Sequence, residues 1–404
     1  HPRGIRRPAG ARARLRLLTF STLYPNAEQP HHGVFVENRL RHLVASGEAS
    51  STVLAPVPWF PSTSRYFGRW SRYAAIPLRE ERYGLAVHHP RFAAVPGLGM
   101  FTGPLALYAA ARRALARMLA EGTRFDAIDA HYLYPDGIAA IRLGHEFGLP
   151  VVLTARGSDT SQLPQYRLPR RLIQAALHEA TALIAVSAGL KEGLVALGAP
   201  PDKVTVLRNG VDLDVFRPPA DRVMARAALG LDGRPVLLSV GHLIERKGHD
   251  LIIRALPMLP DHLLLIVGEG PERSALQTLA ERLGVADRVR LVGAQSHGAM
   301  QRFYGAADAL VLASSREGWA NVLLEAMACG TPVIASPAWG SREAVAAPEA
   351  GLVLDETTPD TIAAGVRRLL AAPPSRAATR AYAEGFGWAE TTAGQLALFR
   401  QVVG

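Results

Sequence analysis

Two glutamates bracket an apolar run in "SSREGWANVLLEAMACGTPVIAS": Glu317 at its entrance and Glu325 further in. The preceding "ALVLAS" reads as a buried strand that delivers Ser314 to a cleft, and Gly318 leaves the backbone beside Glu317 unobstructed. Asn321 is placed to cap the following helix, whose first N–H groups would point at that cleft. Glu325 would lie about a turn inside, on the same side. Two carboxylates so separated can hold the hydroxyls of two sugars, while the helix start between them takes phosphate. These residue types suit a nucleotide sugar, with one acid on the ribose and the other on the hexose.

A second anion site is expected in "SVGHLIERKGHDLIIRAL", where a strand ends, Gly241 turns the chain, and His242, Arg246 and Lys247 precede a helix. Side-chain cations and a helix N-terminus add their fields there. Lys247 stands out because only three of the 45 basic residues are lysines. "IVGEGPER" has G-x-G after a strand but lacks the third glycine of a dinucleotide fingerprint, which disfavours a Rossmann dehydrogenase. The pair Asp212 and Asp214 falls in a polar connection and reads as turn chemistry. No metal site and no cofactor are expected; the nucleotide sugar would be a substrate.

The elements around these residues repeat one pattern twice. Short apolar runs ("RLRLLTF", "STVLAP", "FDAIDAH", "PVVLTA", "ALIAVS", then "PVLLSVG", "HLLLIVG", "RVRLVG", "ALVLAS", "PVIAS") alternate with helical periodicity. That is the signature of parallel sheets covered by helices. The 404 residues accommodate two such units at about 150 residues each. The expected division is a disordered Arg-rich leader over 1–13, a first domain over 14–212 on the acceptor side, a linker over 213–234 and a nucleotide-sugar domain over 235–385. A last amphipathic helix over 386–404 would pack back on the first domain. The architecture is α/β: two doubly wound, Rossmann-like domains facing each other across a cleft.

The single cysteine, Cys329, excludes a disulfide framework and a Cys-rich zinc site and makes the cytoplasm the default compartment. A net charge of +10 would suit an anionic substrate or membrane surface, but its near-exclusive use of arginine also fits codon bias. No nucleic-acid signature accompanies it. One segment, Pro56 to Pro77, interleaves Trp59, Phe60, Tyr66, Phe67 and Trp70 with Arg65, Arg69 and Arg72. Such a mixture suits an amphipathic acceptor or the inner face of the plasma membrane, and equally a capped loop; Trp59 and Trp70 are its candidate acceptor-side residues.

"EGWANVLLEAMACGTPVIAS" resembles the signature of glycosyltransferase family 4, retaining enzymes of the GT-B fold. "VGHLIERKGHDLIIRAL", "VGEGPE", "VLRNGVDLDVFRP" and "FGWAE" extend the likeness along nearly the whole chain, and "STLYPNAEQPHHGVFVENRLRHL" is similar to bacterial polysaccharide-assembly members of the teichuronic acid type. The resemblance implies Glu317 on the donor sugar, Glu325 on the ribose, Lys247 on the diphosphate, and backbone groups of Ala320, Asn321, Val322 and Leu323 on sugar and phosphate, beside Trp319. It implies Gly33 approaching the donor from the first domain, His131 of "AHYLYPDG" near the reacting carbon, and Asp159 of "ARGSD" in the cleft. Two positions depart from the family: His242 stands where an arginine is common, with Arg246 the candidate replacement, and Arg156 where a histidine is common.

The expected activity is transfer of a hexose from a nucleotide diphosphate sugar, UDP first and GDP next, to a lipid-linked or growing polysaccharide. The alternatives are a GT-B epimerase or phosphorylase, the latter needing a pyridoxal lysine from only three, and a non-catalytic basic scaffold at a membrane or polymer surface.

Overall fold

The computed structural model describes residues 13–94 and 99–404, so all but the last residue of the expected leader lies outside the described residues. Strands of the first half are β1 (Leu15–Phe20), β2 (Ala49–Leu54), β3 (Val57–Pro58), β4 (Arg79–Arg82), β5 (Leu85–His88), β6 (Arg91–Phe92), β7 (Ala127–His131), β8 (Val151–Ala155), β9 (Ala182–Ala185) and β10 (Val204–Val206). The second half holds β11 (Val236–Val240), β12 (Leu263–Val267), β13 (Val289–Gly293), β14 (Ala309–Leu312), β15 (Val333–Ala335) and β16 (Gly351–Val353). Several are buried along their entire length, as β7, β8 and β12 are, because helices cover both faces of the sheets.

The first sheet has the order β10-β9-β8-β7-β1-β2-β5-β4, parallel except where β4 folds back on β5; the second runs β13-β12-β11-β14-β15-β16, parallel throughout. In each, the chain leaves the central strand in one direction and later returns to its other side. Loops at the carboxyl ends of β1 and β7, and of β11 and β14, therefore open onto a crevice, the usual ligand position in such sheets.

The helix Trp388–Val403 crosses back to the first half, where Leu396, Leu398 and Phe399 join the core of Leu17, Val36 and Leu43. His42 stacks on Trp388 at 4.9 Å, and the Val211 N–H donates to the Phe386 carbonyl at 2.9 Å where the two interdomain connections meet. The Asp212 carboxylate accepts the N–H groups of Asp214 and Val215, both at 3.1 Å, so it closes a turn of its own connection.

Loop positions at the crevice are set by backbone constraints. Gly33 precedes the helix Val34–Ala45 in the left-handed region (φ 72°), and a Cβ there would lie 2.3 Å from the Leu23 carbonyl. That close approach fixes the β1 loop against the helix start. The same loop is tied from the β7 side: Asp136, fully buried, accepts the Thr22 N–H and, at 3.0 Å, the Thr22 hydroxyl. Burial nevertheless pushes its carboxyl up from 3.8 to about 7.

Because the folded form holds this proton more tightly than the unfolded chain, the stabilisation is complete below about pH 4 and is lost as pH rises through about 7. Wild-type stability relative to Asp136→Asn should thus fall between those limits by about 1.4 kcal/mol per pH unit at most. Paired urea melts at pH 4, 5.5 and 7 measure it; a pH-independent difference would contradict the burial of an acid at this position.

Candidate active site

The crevice holds a cavity of about 630 Å³ with walls from both halves. From the second half come Arg246, Lys247, Glu317, Trp319, Ala320, Asn321 and Val322. The structure therefore brings together most of the second-half residues singled out from sequence. Lys247 follows β11, Glu317 follows β14, and the Lys247 Nζ donates to Glu317 Oε1 at 2.5 Å. Arg246 stands 3.8 Å from the same carboxylate and donates to the Arg316 carbonyl at 2.8 Å. This wall carries a strong surplus of positive charge beside one acid.

Between the acid and the core begins the helix Asn321–Ala328, preceded by Ala320 in extended conformation with no side-chain cap. Asn321 does not cap it, contrary to the sequence reading: it is the first helical residue, and its Oδ1 accepts the Asn209 Nδ2–H at 3.2 Å. The helix start at the cavity thus keeps its N–H groups for a ligand anion. Leu323 is excluded from that role, since its side chain is fully buried and its N–H closes the first turn on the Ala320 carbonyl at 3.1 Å. Trp319 gives a wall, but its indole N–H is spent on the Asn209 carbonyl at 3.1 Å.

Other expected residues lie off the cavity wall. Glu325 faces the helix Met300–Ala306, where Oε2 accepts the Tyr304 hydroxyl at 2.6 Å, and burial raises its pKa. His242 is exposed on the loop after β11. Gly33 acts through Leu23, which does line the cavity. Asp159 is fully buried and accepts the N–H groups of Leu133, Arg156 and Gly157 at 2.8–3.2 Å, so it shapes the β8 loop and does not face the cleft. Trp70 belongs to a separate surface cluster in which Phe60 packs on Phe67 and Trp70 at 5.2 and 5.8 Å, and Trp59, more than half exposed, precedes Phe60 and does not line the cavity either.

His131 is corrected most clearly. It ends β7 with 1% exposure, its Nδ1 accepting from Arg156 Nη2 at 2.6 Å and its Nε2 donating to Asp129 Oδ2 at 3.2 Å. Both ring nitrogens are engaged, and burial lowers its pKa, keeping it neutral. Burial opposes charge on Asp129 as well, yet His131, Arg39 and Arg156 hold its carboxyl below the usual range. Side chains alternate along a strand, so the last strand residue points inward and the next is the one that reaches the cleft.

That next residue is Tyr132, which sequence reasoning missed. Its φ of 84° is strained for a non-glycine and turns the ring into the cavity, where its hydroxyl meets Ser158 Oγ at 2.7 Å. Phe35, Arg156 and Asn209 also line the cavity from the first half. The Arg156 guanidinium lies 5.0 Å from the Phe35 ring, and burial, with Arg39 nearby, pulls it down to about 9. The halves touch here: a Cβ on Gly318 would lie 2.1 Å from the Arg156 carbonyl, and one on Gly157, at φ 130°, 2.9 Å from the Gly318 nitrogen. A larger, more open depression of about 990 Å³ lies between Asp212, Trp388 and Arg400, and none of the candidate residues lines it.

Comparison with known proteins bears on this geometry. Residues 40–215 match the model described as Glycosyltransferase Family 4, and residues 222–386 that described as Glycosyl transferases group 1. The D-inositol 3-phosphate glycosyltransferase of Frankia alni is 35% identical over 306 residues, covering 69% of this chain and 75% of the relative. That of Actinosynnema mirum is 33% identical over 357 residues, covering 80% and 84%. Among solved structures, sucrose-phosphate synthase from Thermosynechococcus elongatus superposes with a TM-score of 0.80 at 22% identity, covering 96% of this chain and 99% of that one. Anabaena HepE in complex with UDP and glucose gives 0.72 at 18% identity, covering 96% and 100%. With both halves matched and a relative covered along three quarters of its length, the chain belongs to the family 4 type of glycosyltransferases, enzymes built on the GT-B fold.

Proposed function

We propose that the chain transfers a hexose, with retention of configuration, from a nucleotide diphosphate sugar to a hydroxyl of a sugar or cyclitol phosphate. One observation carries this reading: Lys247 and Glu317 on two strand-end loops, with an uncapped helix start beside them, form a site for a diphosphate and a sugar at once. UDP is the favoured nucleotide because the family resemblance points to it most often. The acceptor class rests on the names of the relatives from Frankia alni and Actinosynnema mirum.

The chemistry follows from the charges. As the bond from the sugar's C1 to the diphosphate oxygen breaks, Lys247, Arg246 and the helix N–H groups stabilise the leaving oxyanion. The acceptor oxygen bonds to C1 on the same face, and its proton passes to that leaving phosphate oxygen. Glu317, paired with Lys247, positions sugar hydroxyls and does not attack. Glu325, fixed by Tyr304 off the cavity wall, takes a ribose hydroxyl on the strength of the family resemblance alone. Positive side chains meet the diphosphate charge, so the reading calls for no metal.

A second acceptor reading, a lipid-linked saccharide met at an anionic membrane surface, is favoured by one observation. Trp59, Phe67 and Tyr66 expose 57%, 49% and 98% of their surface beside Arg65 and Arg72. No helix among the described residues is long and apolar enough to cross a membrane, which leaves surface contact as the mode this reading requires.

Nucleotide release from UDP-, GDP- and ADP-hexoses, with D-inositol 3-phosphate or a lipid-phosphate oligosaccharide as acceptor, tests the proposal. Release should require one acceptor, and Lys247→Ala and Glu317→Gln should each lower kcat/KM by about 10²–10³ with unchanged melting temperature. Activity surviving both substitutions would sink it. The second reading expects sedimentation with vesicles of anionic phospholipid, lost in the Trp59→Ser, Tyr66→Ser double variant; wild-type chain left in the supernatant would remove it.

A further inference from the structure

We infer that Arg156 selects a substrate bearing an anionic oxygen group, carboxylate or phosphate, on one of the two sugars that meet at the junction of the halves. The inference rests on the nucleotide-sugar reading and adds a residue and a substrate class to it.

Arg156 lines the cavity from the first half, and its backbone lies against Gly318, next to Glu317. Its guanidinium is held in place by neutral acceptors only: Nη2 on His131 Nδ1 at 2.6 Å and Nη1 on Asn209 Oδ1 at 3.3 Å. Its Nε is buried without a partner, and among the described residues no carboxylate pairs with the side chain. Arg39, fully buried, shares the Asn209 oxygen at 3.1 Å and leaves its own Nε and Nη2 without partners. Asp129 bonds His131 and acts on both guanidinium groups only through space, as Asp159 does on Arg156, and neither carboxylate forms an ion pair with them.

Two features separate this arrangement from ordinary packing. First, Asp129 orients His131, and His131, protonated on Nε2, presents a lone pair to Arg156; a buried chain of two residues fixes the guanidinium of a residue that lines the crevice. Second, a desolvated cation with no ion pair of its own is costly, and an anion arriving with the substrate would supply one at the Nη groups, the Nε being buried by the protein. A neutral hexose offers only hydroxyls, whereas a carboxylate or phosphate matches the planar fork with two parallel bonds. The diphosphate has its own cations on the opposite wall in Arg246 and Lys247, so Arg156 is surplus to it. His131 and Asp129 are positioning residues in this scheme.

Titration calorimetry on the full chain tests it with two ligand pairs. UDP-glucuronate against UDP-glucose probes the donor; D-inositol 3-phosphate against inositol, on UDP-saturated protein, probes the acceptor. The wild type should prefer the charged member of at least one pair by about tenfold to a hundredfold, the worth of a charge-assisted bond. Arg156→Gln should abolish that preference, Arg156→Lys should retain part of it, and Asp129→Asn should weaken it without touching ligand. The pair showing the preference assigns the anion to donor or acceptor. An unchanged thermal melting transition of the full chain, together with retained UDP binding, reports that both halves of each variant are folded. Absence of preference in both pairs, or a preference surviving Arg156→Gln, overturns the inference. Failure of the wild type to bind UDP at all overturns instead the nucleotide-sugar reading beneath it.

Discussion

The site depends on two strand-end loops from different halves coming into backbone contact. The Arg156–Gly157 loop after β8 and the Glu317–Gly318 loop after β14 approach so closely that a Cβ at Gly318 would lie 2.1 Å from the Arg156 carbonyl. Neither half alone encloses a cavity of this composition: the second supplies Lys247, Glu317 and the uncapped helix start, the first supplies Tyr132, Arg156 and Asn209. Contacts away from the cavity support the same approach. Glu343 of the second half accepts the Ala188 and Gly189 N–H groups of the first, each at 3.1 Å, and pairs with Arg208 at 2.6 Å. A carboxylate at a helix N-terminus is favourable there in both charge and hydrogen bonding.

Around that contact the molecule keeps polar groups under tension between burial and pairing. Asp136, Asp159 and Glu325 are acids whose carboxyls burial pushes up, yet each accepts protein donors that fix it in one orientation. Asp159 takes three backbone N–H groups and thereby sets the loop that carries Arg156. The strained backbone at Tyr132 is held by the same scaffold, its N–H donating to the Thr154 carbonyl at 2.9 Å. Strain of about 1–3 kcal/mol persists only where surroundings over-determine it, and a cavity wall is where it serves placement.

Much of the fold was legible because strands covered on both faces read as apolar runs: the ten stretches taken as strands, from "RLRLLTF" to "PVIAS", coincide with β1, β2, β7 to β9 and β11 to β15. The hairpin of β4 and β5 was not, since "REER" at a sheet edge carries charges on both faces and its turn rests on Tyr83 and Gly84, both at positive φ. Of the site, the second-half wall was readable because Lys247 and Glu317 follow strands in unmistakable loops. The first-half wall was not. His131 was singled out by the family resemblance, but the side that a strand-end residue faces depends on the turn after it, and here a positive φ hands the cavity to Tyr132. Asn321 resembled a cap until Asn209, distant in sequence, took its oxygen.

The central claim is that contact between the two loops assembles a site for transfer while the second half alone holds the nucleotide. Gly318→Ala tests it most directly, because the added methyl must push the Arg156 loop away without removing any cavity side chain. Measured side by side, UDP affinity by calorimetry should stay within about threefold of wild type, and the sugar-transfer rate should fall by about a hundredfold, the cost of an ångström-scale misplacement. An unchanged transfer rate would contradict the account.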